Sequence, residues 1–282
     1  MINETANDKT IREIKKQAVK LRRDVLEMIG IGNTGHLGGS CSLAEVMAFL
    51  YFHKLKIDKN NPRDPNRDRL VLSKGHAALI QYACLCELGF FSRDELKKVK
   101  KLDGLLQGHP DLSIPGIEAV TGSLGQGLSV SLGMALALKL DKSGARVYTI
   151  MGDGEQSEGQ LWEASQAAAN FRADNLTAFL DWNKIQATGP TKDVFNIPDL
   201  DKKWAAFGWE VFHADGHDPA SIITAVEKAE QIKGRPQLII LDTIKGKGFS
   251  FAEGNAAYHN GLIDEKIFKQ ALAELDAAEG AL

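Results

Sequence analysis

Two hydrophobic periods alternate along the chain. Residues 10–30 place Ile11, Ile14, Ala18, Leu21, Val25, Met28 and Ile29 at three- and four-residue spacing, the pattern of a helix with one buried face. A Gly-rich break, I-G-N-T-G-H-L-G-G-S, precedes a second helix expected over 43–55. Arg69 to Leu72 reads as a short strand ending at Ser73-Lys74-Gly75-His76, with a helix over 77–88 behind it. Ser92 with Glu95 three residues on has the form of a capping box and predicts a charged helix over 92–101. A helix of small side chains follows over 128–140, then an apolar strand over 145–151, a helix over 158–170 and a strand over 177–181. Residues 209–213 and 237–241 read as strands around a helix over 219–233, and a last helix spans 264–278. The stretches 58–69, 189–201 and 243–248 are polar or Gly-rich connections. Strands alternating with helices predict an α/β fold, a doubly wound, mainly parallel sheet with helices on both faces. No repeat or long linker divides the chain, so residues 1–282 are expected to form a single domain.

Composition narrows the classes of function. The chain has 282 residues, 44% hydrophobic and 25% charged, ordinary for a globular protein. A formal net charge of −3 offers no basic footprint for nucleic acid or an anionic membrane. The N-terminal segment is charged throughout and lacks the apolar core of a signal peptide, and no run approaches a membrane span. Cys41, Cys84 and Cys86 fit neither a disulfide framework nor a metal-ligand pattern. A reducing, cytoplasmic location is therefore expected.

Candidate chemistry gathers at one predicted edge. The apolar run 145–151 stops at Gly152-Asp153-Gly154, and Asn183 lies just past the next strand, about thirty residues on. Two parallel strands joined by one helix place their C-terminal ends on the same edge, where ligands bind in open α/β sheets. Asp153 and Asn183 can then face one cation. A carboxylate and an amide oxygen are hard ligands, suited to Mg²⁺ or Ca²⁺ with phosphates and water completing the shell. The glycines allow close backbone approach, and the following helix N-terminus favours anions. Four histidines, His36, His76, His109 and His259, sit in Gly-rich or turn segments. Each is either simply solvated or, if the loops converge, able to donate to phosphate or shuttle hydroxyl protons. Lys245 and Lys247 with nearby glycines either meet an anion or mark a solvated turn. Glu158 and Glu163, near a helix start, suit the macrodipole there.

With its flanking strands, the G-D-G…Asn pattern resembles the cofactor motif of thiamine diphosphate enzymes. N-R-D-R-L-V-L-S-K-G-H-A (66–77), T-G-S-L-G-Q-G (121–127), T-G-H-L-G-G-S (34–40) and G-H-P-D (108–111) resemble segments of the transketolase family, in the family's order. Trp182, Leu37 and the loop F-S-F-A-E-G-N before His259 depart from the family's usual text. The resemblance implies that Asp153, Asn183 and the carbonyl of Ile185 hold a metal that grips the cofactor diphosphate. His76, Gly152, Gly154 and the backbone of Gly122, Ser123, Leu124 and Gly125 would contact that diphosphate. His36 and His109 would face ketose hydroxyls, and His259 the donor carbonyl. Glu158, placed in the cofactor-binding set, and Glu163 resemble paired glutamates that approach their symmetry mates and link two active sites; the macrodipole reading stands beside that one.

The resemblance covers the family's diphosphate-binding domain alone. The glutamate that activates the cofactor pyrimidine, its aromatic platform and the C-terminal domain have no match. The implied protein is the N-terminal subunit of a split transketolase. With thiamine diphosphate and Mg²⁺ or Ca²⁺, it would move a two-carbon ketol unit from a ketose phosphate to an aldose phosphate. It would need a C-terminal partner, in an α2β2 assembly. The alternatives are a subunit of deoxyxylulose phosphate synthase type, the thiamine-binding subunit of a 2-oxo acid dehydrogenase, and a non-catalytic module that kept the fold. Helix 128–140 is either a subunit seam or a closely packed internal helix. The sugars themselves are not legible in the sequence, because most residues that clamp the sugar phosphate belong to the missing half.

Overall fold

The computed structural model describes residues 6–282; residues 1–5, part of the charged segment read above, lie outside it. The chain opens with α1 (Ala6–Ile29), crosses a short strand β1 (Asn33–Gly35) and two short helices, α2 (Leu37–Cys41) and α3 (Ala44–Phe49), and enters the sheet at β2 (Arg69–Leu72). Helices α4 (Ala78–Glu87) and α5 (Gln126–Leu140) lead to β3 (Val147–Gly152), and α6 (Gly159–Asn170) joins it to β4 (Leu176–Trp182). After α7 (Thr191–Val194) and α8 (Leu200–Ala206) come β5 (Glu210–Asp215), α9 (Pro219–Gln231) and β6 (Gln237–Asp242). A short β7 (Gly261–Ile263) and α10 (Glu265–Gly280) follow. Five strands form a parallel sheet in the order β2-β3-β4-β6-β5, while β1 and β7 pair antiparallel apart from it.

The sheet is covered on both faces, and the period-2 alternation of its strands decides which residue faces which layer. Tyr148, Ile150, Phe179, Ile239 and Leu241 pack into one cluster with Ile14, Leu21 and Val25 of α1 and the residues of α3, α4 and α9. Their neighbours Val147, Met151, Ala178, Leu180, Leu238 and Ile240 pack on the other side with Leu128, Leu132 and Ala135 of α5, Leu161 of α6 and Trp204 of α8. The doubly wound α/β reading therefore holds. No helix among the described residues is long and apolar enough to cross a membrane.

Three local expectations fail, each for a tertiary reason. The second helix begins earlier, at Leu37, and breaks before Ala44; its last turn, 50–54, is wound as π-helix, with Leu55 N donating to Leu50 O at 2.8 Å. The Gly38-Gly39 pair read as a breaker is helical because the space is full. A Cβ on Gly38 would lie 2.9 Å from both Lys245 and the Tyr258 carbonyl. The charged α-helix over 92–101 is instead a run of 3-10 turns over Arg93–Lys98. Ser92 does accept from Asp94 N at 3.3 Å, but Glu95 turns away, accepting from Leu105 N at 3.1 Å and from Lys98. The capping box is thus half made, its glutamate holding the loop ahead rather than the helix start. Finally, the polar connection 189–201 contains α7 and the first turn of α8, which is anchored by buried Trp204.

Candidate active site

Parallel register brings the carboxyl ends of β2, β3, β4 and β6 to one edge: Leu72 lies opposite Ile150, Gly152 opposite Asp181, and Trp182 opposite Asp242. The turns that leave these strands therefore meet. Between them lies a cavity of about 440 Å³, lined by Gly39, Lys74, His76, Leu124, Gly152, Asp153, Gly154, Glu158, Asn183, Ile185, Lys245 and His259, among others. A larger crevice of about 650 Å³ opens over the ends of β4, β6 and β5, lined by Trp182, Asp199, Asp215 and Asp242. It contains none of the residues singled out above as candidate ligands or catalysts.

Oxygen donors cluster on one side of the smaller cavity. Asp153 is 4% exposed; its Oδ2 accepts from Thr191 Oγ1 and its Oδ1 from Gly154 N, both at 2.8 Å. Burial raises its carboxyl above the usual range, against the opposing Thr191 bond. Asn183 Nδ2 donates to Asp181 Oδ2 at 2.9 Å, while its Oδ1 accepts from Ile185 N at 3.1 Å, so the amide plane is fixed. The Ile185 carbonyl accepts from Lys245 Nζ at 2.7 Å. Lys245 Nζ also reaches Gln186 O at 3.3 Å and His259 Nδ1 at 3.0 Å; burial, then the nearby Lys74, push its pKa down to about 8. Carboxylate, amide and carbonyl oxygens are the donor set of a hard cation. Among the described residues no group of three His, Cys, Asp or Glu side chains is placed to hold a metal. A cation here would need further oxygens from a ligand.

Beneath these donors lies a buried ionic floor. Asp181 is fully buried and accepts from Lys74 Nζ, Thr243 Oγ1, Ser42 Oγ at 2.7 Å and Asn183 Nδ2. Lys74 completes its own shell on Gly39 O at 3.0 Å. Burial alone would raise the Asp181 carboxyl, but the Lys74 ammonium and the converging donors bring it below the usual range.

The histidines form the rim. Ring centroids lie 5.4 Å apart for His36 and His76, 6.3 Å for His36 and His109, 5.4 Å for His36 and His259, and 5.0 Å for His76 and His259. Burial lowers the pKa of His36 and His259 to about 4 and that of His76 further, with neighbouring lysines and imidazoles acting in the same direction. These three are therefore neutral at neutral pH, each with one nitrogen donating and one accepting. His109 is exposed. Its ring lies against Gly122, where a Cβ would approach His109 Cδ2 to 2.6 Å, and its carbonyl accepts from Tyr82 OH at 2.7 Å.

The turn Gly122–Gly125 meets the turn of His76 backbone to backbone: a Cβ on Gly75 would lie 2.6 Å from the Thr121 carbonyl carbon. Gly125, in the left-handed region at φ +83°, starts α5. Leu124 lines the cavity, whereas Ser123 is exposed and accepts from Gln126 Nε2. Glu158 lines the mouth and precedes α6; Glu163 lies on the exposed face of α6. The sequence offered no signal for Thr191, and only strand-end positions for Lys74 and Asp181. Their partners lie far away in the chain, 107 residues for the Lys74–Asp181 pair.

A family model described as the thiamine diphosphate binding domain of transketolase matches residues 14–276. A 6-deoxy-6-sulfo-D-fructose transketolase subunit from a Clostridium species is 47% identical, over 95% of this chain and 98% of that protein. One of the two subunits of an apulose-4-phosphate transketolase from Phocaeicola vulgatus is 37% identical, over 94% of each. Among solved structures, a transketolase from Campylobacter jejuni superposes with a TM-score of 0.89 at 31% identity. The match covers 96% of this chain and 45% of that one, so the chain spans less than half of the solved transketolase.

Proposed function

The chain belongs to the transketolase family, matching its thiamine diphosphate-binding domain, and from that premise we propose that it is the N-terminal, cofactor-anchoring subunit of a split transketolase. The observation that carries this reading is the convergence of Asp153, Asn183 and the Ile185 carbonyl with His76 and His259 around one cavity, His36 and His109 adjoining. Asp153, Asn183 and Ile185 O would hold Mg²⁺, or Ca²⁺, against the cofactor diphosphate. His76, Gly152, Gly154 and the backbone of 122–125 would face the same diphosphate, and Lys245 adds a cation beside it. Thiamine diphosphate, when bound, supplies the carbon nucleophile that cleaves the ketose and carries its two-carbon fragment. The protein's part is to orient and to move protons. His36 and His109 would accept and return the protons of ketose hydroxyls, with His259 nearer the carbonyl.

The pyrimidine half of the site would come from a C-terminal partner, in an α2β2 assembly. Glu158, Glu163 and the open face of α5, where Val130 is exposed and a Cβ on Gly133 would touch nothing, are the proposed contact zone. For the donor we propose a ketose ending in a strong anion. The relatives above are named for a sulfonated sugar and a phosphorylated one. The test is an activity titration of this chain with the product of a neighbouring reading frame that encodes a pyrimidine-binding domain, with light scattering for mass. The chain alone should give no ketol transfer, and the pair should give activity with two copies of each chain. Substantial turnover by the 282-residue chain alone would sink the split-enzyme reading.

A further inference from the structure

Glu155 takes no part in the reading above, yet it is the most completely bound carboxylate lining the cavity. It is 1% exposed, and burial raises its pKa. A carboxylate in such a place is costly unless its oxygens are filled. Oε1 accepts from Ser73 Oγ and from Gly125 N at 2.8 Å, and Oε2 accepts from Gly152 N at 3.1 Å. These donors belong to three separate turns. Ser73 ends β2 just before Lys74 and His76, Gly125 closes the 122–125 turn at the start of α5, and Gly152 ends β3 next to Asp153. The turns also touch directly, since a Cβ on Gly127 would lie 2.3 Å from Ser73 Oγ. Glu155 is thus the point at which all three are tied.

We propose that Glu155 is a positioning residue for diphosphate binding: its carboxylate fixes the His76 turn and the 122–125 turn relative to the metal ligand Asp153. The assignment rests on the proposed thiamine diphosphate site. Glu155→Gln keeps the size but not the pattern. Wherever the new NH₂ is placed, it either meets Gly152 N–H donor to donor or meets Gly125 N–H in the same way. One glycine amide loses its acceptor, and the turn that carries it drifts. Sites of this kind work only when held within about half an ångström.

The experiment is calorimetry on the full chain with Mg²⁺, titrated separately with thiamine diphosphate and with inorganic pyrophosphate. An unmet buried donor costs enough that Glu155→Gln should weaken both by about ten- to a hundred-fold. Both should weaken by the same factor, because the defect is at the diphosphate end. Amide hydrogen exchange at Gly125 and Gly152 should speed up in parallel. Ser73→Ala removes one donor and leaves both glycine bonds, so a loss of about two- to five-fold is expected; it also serves if Glu155→Gln does not fold. Variants with lowered melting temperature but wild-type affinities would mean that Glu155 is only structural, overturning the positioning role while the cofactor site stands. A wild-type chain that binds neither ligand would overturn both.

Discussion

On the floor of the cavity, Asp181 gathers four donors and Glu155 three, and Lys74 is paired and capped by a carbonyl. At the rim, His36 and His76 meet their neighbours ring to ring, and His109 is exposed. The floor is a closed set of permanent charges with every partner supplied by this chain. The rim is a set of neutral imidazoles whose donors and acceptors are left for something else to meet. A site built this way is preorganised at its diphosphate end and completed at its substrate end by another surface, which is what a divided enzyme requires.

The sharpest way to break this contrast is to remove a floor oxygen. Asp153→Ala should abolish Mg²⁺-dependent thiamine diphosphate binding with the fold intact, and unchanged affinity by calorimetry would end its assignment as a metal ligand. At the rim, His36→Ala or His109→Ala should lower kcat/KM of the assembled enzyme by about ten- to ten-thousand-fold, the range of a positioned acid–base group. Cofactor affinity should stay close to wild type; a matching loss of cofactor binding would place these histidines on the floor instead. Asp181→Asn leaves Lys74 buried without a counter-charge and should cost about 3–5 kcal/mol in chemical denaturation, the usual penalty for half of a buried pair.

Acid separates the two regions without mutation. His36 and His259 have folded pKa values near 4, below the unfolded value of about 6.5. Between those values the unfolded chain binds more protons, so stability is fully present above about pH 6.5 and declines as pH falls towards 4. Replacing both histidines with Gln should flatten that part of the stability profile; an unchanged slope would show that the rim does not titrate this way. The smallest effect is expected on α5. Val130→Ser on its open face should change the stability of the isolated chain by no more than about 0.5 kcal/mol while weakening association with the partner. Unchanged association would remove α5 from the proposed contact zone.

Much of this architecture is legible locally. The strands announce themselves as short apolar runs ending in glycine or polar turns, and the period-2 alternation of Val147 to Met151 already sorts residues between two layers. Asp153, Asn183 and the four histidines stand out because glycines and strand ends bracket them. Where reading failed, a long-range contact outweighed a local rule. Glu95 abandoned its cap for Leu105, and Gly38 became helical because Lys245 and Tyr258 leave no room for a side chain. The β1–β7 pair escaped notice because three residues carry too little pattern.

The sequence by itself determined the α/β class, the order of the elements and the motif residues at the strand ends, because periodicity and glycine placement are properties of neighbouring residues. Tertiary structure alone decided how those residues are held. Lys74 and Asp181 are 107 residues apart, Ser73 and Glu155 are 82, and Asp153 and Thr191 are 38. Nothing local marks a buried lysine or glutamate as satisfied, since the cost of burying its charge is met only by partners that the parallel register brings to the same edge.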